Sequence, residues 1–428
     1  MPIRMELNNK FNKVYLTICV LLFSLFYLSS GFGEVFSNNV ELILLAVIDL
    51  GVVLLSNRKL TISPNMLLVL LALILNTMIT TAFWGDETKQ IVLTTVYVFS
   101  ALVFVEGVGF RDFLNSYVKL LYFLCVCSLI LWIVFMISPS LIEYLPKVTN
   151  SHGIKASTII VSTIYQAGNV GIARNQGIFW EPGAFQTYIN LALMLTLFCA
   201  EDGKKKTKYI IVYISTIITT FSTAGYSVAL ILLAVYLLNS MLDEKKRRSA
   251  KHKTLLVFVV LALIFWIIYN NLSSELQYQL FGKVREYFEN SDKSNNSSTG
   301  VRMNSIIYSV QAFLKSPIIG NGVRGMDIFK ESVGILHSDM GTCTPVNWFS
   351  YYGVVFGCIM NYGLFKFSKK ITNKTLTRIA LFIVILVAIS SENYFRNPSI
   401  LIFSLLGFKA TSQNVLVQKK TNNRCNEA

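Results

Sequence analysis

The sequence predicts an all-α, polytopic membrane protein of about twelve transmembrane helices. Hydrophobic residues make up 54% of the 428 residues and charged residues only 14%, a composition typical of helical membrane proteins rather than of soluble enzymes. Apolar runs long enough to cross a bilayer follow one another along the chain, and basic residues cluster on alternate sides of them. We therefore interpret residues 1–428 as a single integral membrane domain.

The individual spans follow from the length of each apolar run, since about 17–25 residues cross a bilayer as a helix. The seventh and twelfth runs are shorter than this. We place the spans near 14–31, 40–56, 66–83, 91–108, 117–138, 184–200, 209–221, 226–242, 254–270, 346–364, 377–391 and 399–409. A tight turn is predicted at Ser222–Gly225, between the seventh and eighth spans.

The charge distribution predicts the orientation. With the N-terminus inside, 26 of the 38 Lys and Arg residues fall in inside segments, and long outer loops hold most of the others, as the positive-inside rule expects. Both termini are therefore predicted to be cytoplasmic. The net charge of +15 then reflects topology and contacts with anionic lipid headgroups, and it requires no nucleic-acid partner.

Two outer segments are too long to be simple turns, and loops of this size usually carry function. They cover about 139–183 and 271–345. In the second, residues 301–313 have apolar side chains at helical spacing and are followed by a glycine-rich stretch, 317–325. This pattern favours an amphipathic helix that lies on the membrane surface and ends in a turn.

A polar stretch, residues 171–186, interrupts the apolar runs just before the sixth span. Polar groups at membrane depth must face protein or a water-filled cavity. Arg174 is flanked by glycines and by the amides Asn175 and Gln176, which would let backbone approach a ligand closely. These three residues are candidates for substrate binding, and Arg174 also for catalysis.

Two outer-loop arginines suit a diphosphate, because a guanidinium binds phosphate oxygens in pairs. An arginine beside a membrane is commonly only a headgroup contact. Arg174 has the glycine and amide neighbours, and Arg302 follows a Ser/Thr/Gly run at the predicted start of a helix, where backbone N–H groups favour phosphate. Arg324, in the glycine-rich stretch, is a further candidate for substrate binding.

Two residues are candidate bases. Glu181 precedes Pro182 and could be simply a favourable carboxylate at a helix N-terminus, or else a catalytic base. His337 lies just before the tenth span, in a chain with three histidines, and a neutral imidazole can take a proton from a sugar hydroxyl. Asn347 and Tyr351, one helical turn apart, could line the same cavity.

No metal-binding, nucleotide-binding or serine-hydrolase motif occurs in the sequence. We therefore expect neither a metal nor a cofactor. Few ionisable residues lie within the spans, chiefly Glu41 and Asp49, which argues against an ion-coupled transporter.

With these residues, the chain resembles the Wzy-type O-antigen polymerases, within the wider family that includes the O-antigen ligases. The likeness covers about 170–360 by motif and the whole chain by topology. Between the seventh and eighth spans the family often has Ser-Arg-x-Gly, whereas this chain has Ser222-Thr-Ala-Gly225. The matching stretches are Arg174–Gln186, Arg302 with Ser316–Gly322, and His337-Ser338 with Asn347 and Tyr351–Val354.

The resemblance implies a metal-independent, GT-C-like glycosyltransferase of the bacterial inner membrane with two large periplasmic loops. Its partners would be a donor glycan and an acceptor repeat unit, both on undecaprenyl diphosphate, together with membrane lipids. A chain-length regulator could be a further partner. Arg174 and Arg302 would hold the diphosphate, and His337 or Glu181 would deprotonate the acceptor. The alternatives are an O-antigen ligase that transfers the glycan to lipid A-core, and a polysaccharide transporter or flippase.

Overall fold

A computed structural model describes residues 5, 7, 13–28, 30, 38–56, 60–149, 155–165, 174–241, 298–334 and 342–409. These residues form thirteen α-helices and one small sheet. The predicted spans coincide with helices of the structure, apart from 254–270, which lies outside the described residues. The helices are α1 Lys13–Tyr27, α2 Asn38–Leu55, α3 Pro64–Trp84, α4 Thr88–Gly107, α5 Phe110–Ile137, α6 Pro182–Cys199, α7 Lys204–Thr219, α8 Thr223–Met241, α9 Ser298–Lys315, α10 Gly322–Ser332, α11 Thr344–Ile371, α12 Thr375–Ile389 and α13 Pro398–Phe408.

Five of these helices, α3, α4, α5, α6 and α8, are long and apolar enough to cross a membrane. Three more apolar helices are shorter, namely α1, α12 and α13. Large apolar side chains point away from the protein, and Leu68 and Phe83 are each 66% exposed. Side chains of this kind in such numbers need an apolar solvent. The prediction of a mainly helical membrane protein is confirmed at this level.

Helix α6 is the centre of the fold, since nearly all of its side chains are buried. Pro182 occupies its first turn, where a missing N–H costs nothing and the fixed φ suits a helix. The same device begins α3 at Pro64 and α13 at Pro398. Prolines thus mark where these three helices begin.

Four helices, α4, α6, α11 and α13, have their N-termini at one end of the molecule and their C-termini at the other. We name the first the motif end, because the polar segment 174–181 lies there at the start of α6. We name the second the lysine end. The first and last described residues, Met5 and Lys409, both lie at the lysine end, since Met5 N–H donates to the Cys199 carbonyl and the Lys409 ammonium reaches the C-terminus of α4.

Lysine side chains cap helices at the lysine end, where the last carbonyls of a helix have no partner within it. The Lys206 ammonium donates to the carbonyls of Leu197 and Ala200, at 2.9 and 3.2 Å. The Lys409 ammonium donates to Val105 and, at 2.8 Å, to Val108. Positive charge at a helix C-terminus also complements the helix dipole.

The all-α prediction needs one correction. The first long loop contains a short 3-10 helix, Pro139–Tyr144, and a three-stranded antiparallel sheet. The strands are β1 Lys147–Thr149, β2 Lys155–Ile159 and β3 Ser162–Tyr165, in the order β1-β2-β3. They pair Val148 with Ala156 and Ser157 with Ile164.

Three predicted boundaries also differ. The turn between α7 and α8 occupies residues 220–222, and α8 already begins at Thr223, so Gly225 is helical. Residues 322–325 of the expected glycine-rich turn form the first turn of α10. Helix α9 begins at Ser298, so the apolar pattern of 301–313 lies inside a longer helix.

Candidate functional site

The segment 174–181 leads into α6 and is fixed by backbone hydrogen bonds to the sheet and to the end of α7. Thr163 N–H donates to the Gly177 carbonyl at 2.6 Å, and Asn175 N–H donates to the Thr219 carbonyl at 3.0 Å. Gly177 has φ +54°, and a Cβ there would press on the Phe185 ring. A residue without a side chain is therefore needed for this turn.

Arg174 lies against the end of α7. Its Nε donates to the Thr220 carbonyl at 3.0 Å and its Nη2 to the Phe221 carbonyl at 2.9 Å. The guanidinium is half-buried and occupies the turn just before Ser222–Gly225. That tetrapeptide contains no arginine, yet the structure brings a guanidinium to the same turn from another part of the chain.

Asn175 and Gln176 are buried and already hydrogen-bonded within the protein. The Asn175 amide nitrogen donates to the hydroxyls of Ser128 and Thr219, and its oxygen accepts from Gly177 N–H. The Gln176 amide donates to the Phe179 carbonyl. Both amides stabilise the turn in this structure, and their predicted contacts with substrate stay a prediction.

Glu181 stands at the N-terminus of α6, where its extended backbone precedes Pro182 and its side chain forms no capping hydrogen bond. A second carboxylate, that of Glu392, approaches the same place. A Cβ added to Gly183 would lie 3.0 Å from Glu181 Oε1 and closer still to Glu392 Oε1. The two oxygens are therefore no more than about 5 Å apart. Glu181 is half-buried and Glu392 is 7% exposed.

Glu392 belongs to the connection between α12 and α13, residues 390–397. On one side this connection binds α6. Ser391 Oγ accepts from the Gln186 amide at 3.0 Å and lies 2.8 Å from Thr187 Oγ1. Gln186 and Thr187, on the first turns of α6, therefore hold Ser391, the residue before Glu392, in place.

On the other side the connection binds the start of α11. Thr344 Oγ1 donates to the Glu392 carbonyl at 2.8 Å and accepts from Tyr394 N–H at 2.6 Å. Burial, and after it the neighbouring carboxylate of Glu392, raises the pKa of the Tyr394 hydroxyl well above its ordinary value. Tyr394 is thus a protonated donor at neutral pH.

Asn347 and Tyr351 both face this connection from α11, as their spacing predicts. The Asn347 amide donates to Asn393 Oδ1 at 3.1 Å and its oxygen accepts from Ser309 Oγ at 2.9 Å. The Tyr351 ring stacks on Phe395, with centroids 4.4 Å apart. The two residues therefore position the 390–397 connection beside Glu181.

The other matching stretches, Ser316–Gly322 and Tyr351–Val354, pack onto each other. Helix α11 is broken at Gly353, which has φ +78°. The break frees the Ser350 carbonyl, which accepts from Asn321 N–H at 2.9 Å, and the Val354 N–H, which donates to the Pro317 carbonyl at 2.8 Å. These motifs therefore form a joint between α11 and the turn that precedes α10.

Three predicted residues lie apart from this centre or cannot be placed. His337 lies outside the described residues, and for Arg302 only its helical backbone in α9 is described. Arg324 is exposed on α10, where its Nη1 donates to the Gly85 carbonyl at 3.3 Å and so caps α3. Whether Arg174 and Arg302 meet over one pocket stays a prediction.

Two residues that the sequence analysis missed are Glu392 and Arg396. Both lie in a connection short enough to resemble an ordinary turn. The available signal is composition: Ser391–Asn397 combines an acidic, a basic and two aromatic residues between two apolar spans. Such a set in so short a connection indicates a polar cluster at membrane level.

Chemically, this site offers two carboxylates for proton transfer and guanidinium groups at the same end of the molecule. Among the residues that the structure describes, no group of three or more His, Cys, Asp or Glu side chains could hold a metal ion. Comparison with known proteins gives no relative: no protein-family model matches the chain, and no curated protein matches it.

Proposed function

We propose that the protein is an O-antigen polymerase of the Wzy type, which joins oligosaccharide repeat units carried on undecaprenyl diphosphate. One observation carries the proposal. The polar residues of 174–186, the head of α11 and the 390–397 connection converge at one end of a set of apolar helices. A lipid-linked substrate needs its reacting groups at that level, because its lipid part stays in the bilayer.

In the proposed reaction, a hydroxyl of the acceptor repeat unit attacks the anomeric carbon of the donor glycan. The bond from that carbon to the lipid diphosphate breaks, and the diphosphate leaves with the bonding electrons. Arg174 and Arg302 would stabilise the negative charge that develops on it. Glu181 or His337 would take the hydroxyl proton, and the position of Glu392 makes it a third candidate base.

The proposed setting is the bacterial inner membrane, with about twelve spans, a GT-C-like arrangement and the motif end facing the periplasm. The lysine end would then face the cytoplasm, together with both termini, in line with the positive-inside rule. The sheet and α9–α10 would belong to the two periplasmic loops. Membrane lipids would surround the exposed apolar side chains of α2 and α3.

The test is a bacterial strain that lacks the gene and is complemented with it, with the lipopolysaccharide separated by size. A polymerase restores a ladder of long chains, and its loss leaves lipopolysaccharide with one repeat unit. A deletion strain with bare core would instead identify a ligase. A deletion strain in which repeat units accumulate on the cytoplasmic side would identify a transporter, and either result would overturn the proposal.

A further inference from the structure

Arg396 is held in a defined orientation at the motif end. Its Nε donates to the Tyr352 hydroxyl at 3.1 Å, and its Nη1 donates to Gln90 Oε1 at 2.6 Å. The guanidinium carbon lies 4.8 Å from the centre of the Phe395 ring. Two hydrogen bonds and one ring therefore fix both the position and the plane of the guanidinium.

The groups that hold Arg396 are themselves fixed. The Tyr352 oxygen accepts from Arg396 and lies 2.8 Å from Thr94 Oγ1, so that its own proton can go to Thr94. Thr94 and Gln90 are four residues apart on α4 and share one face. Tyr352 and Thr94 are both buried, at 2% exposure.

Neither acceptor carries a charge. In the part of the chain that the structure describes, no carboxylate lies within 4.0 Å of an Arg396 nitrogen. Asp327, whose charge acts on the neighbouring Tyr351, pairs with Lys330 at 3.4 Å. The charge of Arg396 and that of Glu41 both act on Tyr97, which donates to the Glu41 carboxylate. The guanidinium itself is half-buried and hydrogen-bonded to neutral acceptors, so an anion in direct contact would stabilise it.

The hydrogen-bonding capacity of Arg396 also exceeds these contacts. A guanidinium has five N–H groups, and the described contacts use one on Nε and one on Nη1. Those that remain lie on Nη1 and Nη2, the pair that binds two phosphate oxygens side by side. Arg174 differs, because helix-end carbonyls accept from its Nε and Nη2.

We infer that Arg396 is the anchor of an anion-binding site that takes the phosphate oxygens of a lipid-linked diphosphate. On the proposed function, on which this assignment rests, the ligand is the diphosphate of the acceptor, while Arg174 and Arg302 serve the donor. Polymerisation joins two lipid-linked glycans, so it requires two sites for diphosphate. Gln90 and Tyr352 are positioning residues that hold the guanidinium for this ligand.

The site is tested on the full-length protein in nanodiscs by native mass spectrometry. Undecaprenyl diphosphate is titrated in one arm and phosphatidylglycerol in the other, both against a phosphatidylcholine background. For Arg396→Gln we expect the affinity for undecaprenyl diphosphate to fall about 10- to 100-fold, the effect of losing hydrogen bonds to a charged group. Binding of phosphatidylglycerol should stay unchanged.

Arg378→Gln is the matched control, because Arg378 is also half-buried, lies at the lysine end and donates to the Asn373 carbonyl. It should leave binding of undecaprenyl diphosphate unchanged. Tyr352→Phe removes the acceptor for Nε and should weaken binding less than Arg396→Gln does. Equal binding by wild type and Arg396→Gln overturns the site, and so does an equal loss in both lipid arms, which identifies a general headgroup contact.

Failure of the proposed function has a different signature. If the chain binds undecaprenyl diphosphate through Arg396 but complementation restores no ladder, the anion site stands and the polymerase proposal fails. If complementation restores the ladder and Arg396→Gln neither shortens it nor weakens binding, the polymerase proposal stands and the site is wrong.

Discussion

The motif end and the lysine end of the molecule both bring cations to the C-termini of helices, yet they use them differently. At the lysine end, Lys206 and Lys409 are directed at backbone carbonyls of α6 and α4. At the motif end, Arg174 caps α7 in the same manner, whereas Arg396 is held by a hydroxyl and an amide side chain.

This difference shows that a buried cation in a membrane protein is not by itself a sign of a ligand. Helix ends at membrane depth leave carbonyls without water, and a lysine or arginine beside them is a structural solution. A better indication of a ligand site is a cation that is held in place by groups other than helix-end carbonyls. By that criterion Arg396 stands out more clearly than Arg174.

Substitution of Arg174 gives the strongest test of the difference between the two ends. We expect Arg174→Lys to abolish nearly all long-chain product, because an ammonium keeps the charge but cannot bind two carbonyls and phosphate together. Lys206→Arg is the matched substitution at the lysine end and should keep the full ladder. Ladder lengths measure the activity and thermal unfolding measures the stability. A wild-type ladder from Arg174→Lys would make Arg174 a helix cap only.

The carboxylate pair, Glu181 and Glu392, tests the motif end further, because either group could act as the base. We expect the substitution of the true base, Glu181→Gln or Glu392→Gln, to lower turnover by about 10²–10⁴-fold, the usual contribution of general base catalysis. Binding of undecaprenyl diphosphate should survive in both variants. Initial rates and lipid binding are measured on the same preparations. Full activity in both variants would leave His337 as the candidate.

The joint at Gly353 should affect stability more than chemistry. Gly353→Ala forces a side chain into positive φ and towards the Ile318 carbonyl, which we expect to cost about 3 kcal/mol or more. Gly203→Ala is the control, since a Cβ there meets no atom within 4 Å. Equal unfolding midpoints for the two variants would show that α11 is not broken as described.

The smallest effect is expected at the lysine end. Lys409→Met leaves the carbonyls of Val105 and Val108 without their donor and should cost about 1–3 kcal/mol. Activity at permissive temperature should not change, because the lysine end takes no part in the proposed chemistry. Loss of turnover without loss of stability in this variant would contradict the division between the two ends.

The helices could be predicted because most apolar runs have about the length of a span, and the prolines at 64, 182 and 398 mark where three of them begin. The sheet could not be predicted from the sequence, because β2, Lys155–Ile159, is short and does not alternate clearly between polar and apolar residues. The strands are stabilised by pairing with each other and by the hydrogen bond from Thr163 N–H to the Gly177 carbonyl. Sequence patterns within one strand do not reveal such contacts.

The site was predictable in part. The segment 174–181 stood out because polar residues interrupt apolar runs, and Asn347 and Tyr351 because they are one turn apart. The approach of Glu392 to Glu181, 211 positions apart in the chain, depends on the packing of α12 and the 390–397 connection against α6. Sequence spacing within one element carries no information about such a contact.

The break in α11 ties this helix to the turn between α9 and α10. If α9 and α10 swung outwards as a gate, the Ser350 carbonyl and the Val354 N–H would lose their partners in the turn between those helices. In hydrocarbon each orphaned group costs several kcal/mol. On the proposed function, we therefore expect a lipid carrying its glycan to approach from a side other than this flank.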